Sequence, residues 1–341
     1  MKASGRERRV HDLGPTLNQS ETGAMNRTRR SKPILRLLVL VTIFGSCATN
    51  PYTDRWQLEM VPQSYLNKLG AQSYLQVTND PKVQISKDPK ETAPVQRVAA
   101  RIIEAAKQSK YAETAKTFEW EVTVIKDDKT LNAFALPGGK IAVYTGIFPV
   151  AKNEAGLAAI MGHEVTHALA GHGGERMSQG VVAQVLLTGA SVALQAEGAG
   201  AGTSQAVMQA LGAGAQYGAL LPFSRKHESE ADYIGLLLAA QAGYDPHEAV
   251  HVWERMAQAG GNQPPEFMST HPSHGTRIKQ IEEWMPEALT YYDQASKVAA
   301  ADLPPISKAT ATESPRSGPR SGSGTEGNFR DERKSSIRRQ P

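Results

Sequence analysis

Between residues 91 and 110 the apolar positions Val95, Val98, Ala99, Ile102, Ile103 and Ala106 return every three or four residues, which is the spacing of one helix face. A long amphipathic helix is expected there, and a shorter one over residues 63–77. From Trp120 the period changes. Glu121-Val122-Thr123-Val124-Ile125 alternates and is rich in β-branched side chains, which predicts a strand. Asp127-Asp128 marks a turn, and the runs 131–136 and 140–145, joined by Pro137-Gly138-Gly139, extend the pattern into a small sheet. The apolar run after it, 153–171, is again helical: Asn153 can cap its start, Glu154 suits its first turn, and Gly171 can stop it. Leu157, Ile160, Met161, Val165, Ala168 and Leu169 would bury most of this helix against the body.

Inside that run stands Gly162-His163-Glu164-Val165-Thr166-His167. Residues four apart lie above one another on a helix, so His163 and His167 can aim two ring nitrogens at one point. Paired imidazoles at this spacing suit Zn²⁺, and Glu164 beside them can take a proton from an activated water. The histidines and Glu164 are expected to face a cleft. Two histidines need a further protein ligand. Residues 224–242 supply one: Ser224 can cap a helix on which Glu228 and Asp232, four apart, share a face. Glu228 is read as the third ligand, with Asp232 accepting the outer N–H of a ligating histidine. Glu230 is two positions off that face and points elsewhere. A metzincin would need a glycine at position 170 and a histidine at 173, where the chain has Ala170 and Gly173. His172 misses by one position and is read as a helix-end residue.

Between these helices, residues 177–224 carry one charged side chain, Glu197, among Gly, Ala, Ser and Gln. Glycines and amides break every apolar run short of the about 20 residues that a membrane span needs, so a closely packed pair of Gly/Ala-rich helices is expected. Asp245-Pro246-His247-Glu248 starts another helix, and Thr270-His271-Pro272 leads into the last, with Pro272 in its first turn.

Three features resemble metallopeptidase family forty-eight over residues 55–290. They are Gly162 before His163, the Glu228/Asp232 pair followed by a small apolar helix, and the run Asn132-Ala133-Phe134-Ala135-Leu136-Pro137-Gly138-Gly139. The resemblance implies an α+β, mainly helical gluzincin fold with a small β-sheet preceding the active-site helix. It implies one Zn²⁺ per chain on His163, His167 and Glu228, with Glu164 as general base and Asp232 behind the ligands. The family has a similar Thr-His-Pro segment near its active site. His271 would there either donate to the developing oxyanion or fill the open metal position of a resting form, and Arg277 would be a structural partner. An edge strand at Asn132, Ala133, Phe134 and Ala135 could pair with an extended peptide.

Composition places these elements. The chain has 341 residues, 40% hydrophobic and 21% charged, ordinary for a globular protein. Its net charge is +4, yet residues 47–299 hold 21 Lys/Arg against 26 Asp/Glu, so no nucleic-acid partner is expected. Residues 1–46 read as a leader, with translation expected to start at Met25. Arg27, Arg29, Arg30, Lys32 and Arg36 precede the apolar run 37–44, then Gly45-Ser46-Cys47, the order of an export signal. Cys47 is the only cysteine, which excludes an internal disulfide. Its position resembles a bacterial lipobox, although Phe44 stands where such boxes carry leucine. Cys47 is therefore expected to be lipidated, tethering residues 47–299 to the periplasmic face of a bacterial outer membrane, as in LoiP-like members of the family. Residues 300–341, rich in Pro, Ser, Gly and Arg, read as a disordered tail. The activity implied is endopeptidase cleavage of unfolded or misassembled envelope proteins in quality control. The alternative is a chaperone or assembly factor on outer-membrane complexes with latent proteolysis. A zinc-binding protein without turnover would have no use for Glu164.

Overall fold

Asn50 turns the chain back on itself near the start of the computed structural model, which describes residues 47–180, 182, 183, 223–259, 266–271 and 275–306. Its Oδ1 accepts the N–H groups of Tyr52 (2.9 Å) and Thr53 (3.3 Å), an Asx turn. Around it β1 (Cys47–Thr49) pairs antiparallel with β2 (Trp56–Leu58), Cys47 opposite Leu58. This hairpin was not expected, because strands of three residues are too short to show alternation. α1 (Gln63–Thr78) follows, burying Leu66, Gly70 and Tyr74. α2 (Pro89–Gln108) is capped by Asp88, whose side chain accepts the Lys90 N–H at 2.9 Å, and Pro89 sits where no N–H is needed. It buries Val95, Val98, Ala99, Ile102 and Ala106, the stripe expected from their spacing, and α3 (Ala112–Lys116) ends this layer.

The sheet has the order β3-β5-β4, made of β3 (Glu121–Ile125), β4 (Ala133–Leu136) and β5 (Lys140–Tyr144). β5 is central, parallel to β3 and antiparallel to β4. Gly138 and Gly139 connect β4 to β5 at φ +85° and +83°, which only glycine adopts without strain. β4 is thus an edge, and among the described residues no strand pairs with its outer side.

A short α4 (Phe148–Ala151) delivers the chain to α5 (Glu154–Leu169), whose cap is Asn153 Oδ1 accepting the Gly156 N–H at 2.8 Å. Every residue of α5 is buried except the half-buried Ala159. It is the central helix rather than a helix with one face on a cleft, because α2, β4, α6 (Arg225–Gln241) and α7 (Glu248–Ala259) all pack against it. A helix surrounded in this way is apolar over most of its surface, with Glu154, His163, Glu164, Thr166 and His167 as its buried polar side chains, and each fully buried Leu, Met or Val here contributes about 1.5–3 kcal/mol. α5 and α6 touch at two glycines. A Cβ on Gly162 would come within 2.6 Å of the Gly235 carbonyl oxygen, and one on Gly235 within 2.6 Å of the His163 nitrogen.

Gly171, at φ +67°, turns the chain after α5 into a further helical stretch at 172–180. α8 (Glu266–Thr270) and α9 (Arg277–Gln294) complete the described elements. The last helix begins at Arg277, five residues beyond the expected start at Pro272, which itself lies outside the described residues. Beyond residue 299 the chain stays packed for a few residues: Glu154 N–H donates to Ala301 O and Leu303 N–H to Lys152 O, both at 2.9 Å. The leader at 1–46, the greater part of the Gly/Ala-rich stretch and residues 307–341 of the tail also lie outside the described residues. Among the described residues no helix is long and apolar enough to cross a membrane.

Candidate metal centre

α5 presents His163 and His167 one turn apart, with their Nε2 atoms 3.1 Å from each other. α6, locked against α5 by the glycine pair, brings Glu228: its carboxylate oxygens lie 3.6 Å from His163 Nε2 and 3.4 Å from His167 Nε2. His271, just after α8, adds Nδ1 at 3.3 Å from His163 Nε2 and 3.1 Å from Glu228 Oε1. The four donor atoms all lie within 4.8 Å of one another. Bonds of 2.0–2.2 Å to a tetrahedral Zn²⁺ place neighbouring ligand atoms roughly 3.3–3.6 Å apart, close to the separations of 3.1–3.6 Å among His163, His167 and Glu228 and from His271 to His163 and Glu228.

The protonation pattern also fits. Asp232 Oδ1 lies 2.9 Å from His163 Nδ1, and an ionised carboxylate only accepts, so Nδ1 carries the hydrogen and Nε2 keeps its lone pair. That lone pair faces the Glu228 carboxylate, a convergence of acceptors that a cation relieves. Burial drives the His167 pKa well below its ordinary value, keeping the ring neutral. Burial pushes Glu228 up, but hydrogen bonds with His167 and His271 and the nearby ring charges hold it far below the usual carboxylate range. Arg277, itself 1% exposed, reaches Glu228 Oε2 at 2.8 Å and Asp232 at 2.5 and 2.9 Å. Its guanidinium lies 3.5 Å from the Trp253 ring centre, a cation–π contact that keeps the charge in place.

Glu164 is 3% exposed. Burial raises its pKa, with His271, His163 and the Ala135 backbone N–H acting against that rise. Its Oε1 has no hydrogen-bond partner among the described residues and lies 3.5 Å from His271 Nε2. His271 stacks between Phe267 (4.7 Å) and Phe223 (5.4 Å). Burial lowers its pKa, but Glu164 and Glu228 raise it more. These rings and His271 cover the histidines, which explains why the site is buried and not open to a cleft.

His172 differs from its expectation as a helix-end residue. It is 0% exposed, with Nδ1 2.9 Å from His167 Nδ1 and Nε2 3.1 Å from Glu230 Oε2. Glu230 does point away from the metal ligands, yet toward this ring. Burial lowers the His172 pKa to about 4. Burial raises Glu230, but His172, Arg55 and Thr53 bring it down to about 2. The available signal was a histidine five residues after His167, masked by the glycine turn between them.

Of the expected substrate strand, Ala133, Phe134 and Ala135 lie on β4 and Asn132 just before it, with Asn132 and Ala133 buried. Ala135 is the strand's link to Glu164. Cys47 stands apart from the metal ligands, in the N-terminal hairpin.

The sequence pattern of Peptidase family M48 matches residues 89–285, which spans the sheet, α5, Glu228 and His271. The chain belongs to peptidase family M48. Its fold is of the mainly helical, gluzincin kind, and His163, His167, Glu228 and His271 form a buried cluster able to hold a zinc ion. It is 44% identical over 198 residues to mitochondrial metalloendopeptidase OMA1 of Schizosaccharomyces pombe, covering 57% of this chain and 53% of that one. It is 29% identical over 307 residues to the protein of the same name from Saccharomyces cerevisiae, covering 84% and 86%. A more distant relative is the beta-barrel assembly-enhancing protease of Escherichia coli, 29% identical over 171 residues, covering 49% of this chain and 34% of that one. The chain thus spans about half of the fission-yeast relative and most of the budding-yeast one.

The mitochondrial relatives overturn the expected placement on a bacterial outer membrane and the LoiP-like assignment. The physical reason is that basic residues before a short apolar run do not specify one compartment: Arg-rich, acid-poor segments also address mitochondria. The lipid anchor at Cys47 rested on that placement and loses its support.

Proposed function

We propose that this chain is a mitochondrial zinc endopeptidase that cleaves unfolded or misassembled polypeptides in protein quality control. The observation that carries this reading is the meeting of His163, His167, Glu228 and His271 beside the buried carboxylate of Glu164. Zinc held there supplies Lewis acidity toward the scissile carbonyl and lowers the pKa of water. Glu164, its pKa raised by burial, removes the proton of the attacking water at its free Oε1 and passes it to the leaving amine. The outer edge of β4 takes the substrate as an added strand, and Ala135 ties that strand to Glu164. With four protein ligands a zinc site is closed, whereas catalysis keeps one position open. With zinc bound, His271 would fill the fourth position of a resting site and would have to leave it for turnover; it follows α8, whereas His163 and His167 stand on α5 and Glu228 on α6. The mitochondrial location is supported by the relatives and by Arg27, Arg29, Arg30, Lys32 and Arg36, with no Asp or Glu between Met25 and Thr53.

The test uses the purified full chain with casein. Wild type is expected to cleave it, a chelator to stop cleavage and added Zn²⁺ to restore it. Glu164→Gln should bind zinc and stay folded yet leave casein intact. Proteolysis at the wild-type rate in that variant overturns the reading.

A further inference from the structure

The two metal-binding histidines of α5 are backed differently. His163 donates from Nδ1 directly to a carboxylate, Asp232. His167 Nδ1 meets another imidazole, His172 Nδ1, at 2.9 Å. Two ring nitrogens at this distance form a hydrogen bond only if one carries hydrogen and the other a lone pair. The far end of the chain decides which. His172 Nε2 lies 3.1 Å from Glu230 Oε2. Glu230 is an ionised acceptor, gripped by Arg55 Nε at 2.9 Å and Nη2 at 2.8 Å and by the Thr53 hydroxyl. His172 Nε2 therefore carries the hydrogen, and its Nδ1 is the acceptor. His167 must then donate from Nδ1, which leaves the lone pair on Nε2, the atom facing the metal.

We propose that His172 is a positioning residue that fixes the tautomer and ring orientation of the zinc ligand His167, with Glu230 and Arg55 setting the relay from the N-terminal hairpin. The proposal rests on the zinc reading of the site. The relay is held on both sides. Arg55 also binds Glu175 through two nitrogens at 2.8 Å each, Glu175 pairs with His227 Nε2 at 3.1 Å, and the His227 ring stacks on His172 at 4.5 Å. Arg55 stands 175 positions before Glu230 and 120 before Glu175. The turn between β1 and β2 thereby acts on a ligand that it never touches. Partners that orient a metal-bound histidine are worth about 10- to 100-fold in metal affinity.

Three variants of the full chain separate the roles, read by zinc affinity in chelator competition and by the visible spectrum of the cobalt(II)-loaded protein. His172→Asn places an oxygen acceptor where Nδ1 stands and should keep zinc affinity near wild type. His172→Gln keeps a donor toward Glu230 but withdraws the acceptor from His167. It should weaken zinc about 10- to 100-fold and shift the cobalt bands. His172→Leu should behave as His172→Gln; if it fails to fold, the Asn and Gln pair carries the test alone. Equal zinc affinity and unchanged cobalt bands in His172→Gln overturn the proposal. So does His172→Asn binding as weakly as His172→Gln, because packing alone would then explain the loss. A wild-type chain that binds no zinc instead overturns the reading of the metal site itself.

Discussion

Arg277 and Asp232 face each other inside the protein with Nε 2.5 Å from Oδ2 and Nη2 2.9 Å from Oδ1. The same guanidinium reaches Glu228, so one cation serves both Glu228 on α6 and the carboxylate that pairs with His163. Removing it leaves two buried carboxylates short of their partner. Arg277→Met is expected to cost about 3–5 kcal/mol, the range for breaking a buried pair on one side. Urea denaturation of the chelator-treated chain measures it, and a loss below about 1 kcal/mol would show that the charge network contributes little.

His271 supplies the fourth donor atom of the cluster. If it plugs the resting site, His271→Ala should weaken zinc binding and raise basal casein cleavage several-fold. If it instead steadies the oxyanion, the same change should cut kcat by about 100- to 1,000-fold. The steady-state rate at saturating casein, with zinc in excess, distinguishes the two.

Gly162 and Gly235 set how closely α5 approaches α6. Gly162→Ala forces a methyl to 2.6 Å from a backbone oxygen, so the helices must part and the histidines move away from Glu228. A loss of about 1–3 kcal/mol is expected from such overpacking, together with weaker zinc binding. Gly173→Ala is the control. A Cβ there meets nothing within 4 Å, and in the helical stretch 172–180 alanine should stabilise by up to about 1 kcal/mol. Thermal melts of both variants, with and without zinc, check the contrast.

Glu175 ties the N-terminal hairpin to the relay. Burial raises its pKa, but His227 and Arg55 lower it to about 2 from an ordinary 4.5. A depressed carboxylate pKa stabilises the fold fully above the unfolded value, and that stabilisation is lost as pH falls from about 4.5 through about 2. Arg55→Met should therefore be less stable than wild type at pH 7, with the difference shrinking below pH 4.5. A difference that stays constant from pH 7 to pH 2.5 would rule out this linkage.

Much of this was legible along the chain. Periodicity placed α1, α2, α5, α6 and the three-stranded sheet within a few residues, because helix and strand periods are local properties of the backbone. The four-residue spacings of His163 with His167, and of Glu228 with Asp232, marked shared faces for the same reason. The β1–β2 hairpin was not legible, since each strand has three residues. The leader was read for the wrong compartment, because its charge pattern is common to several.

The amino-acid sequence by itself determined which side chains can ligate zinc and which helices carry them. Only the tertiary structure decided that α5 would be buried on every side, that His271 would close over it, and that His172, Glu230 and Arg55 would stand behind His167. Those contacts join segments up to 175 positions apart, and their partners are chosen by how helices pack, which no local period encodes.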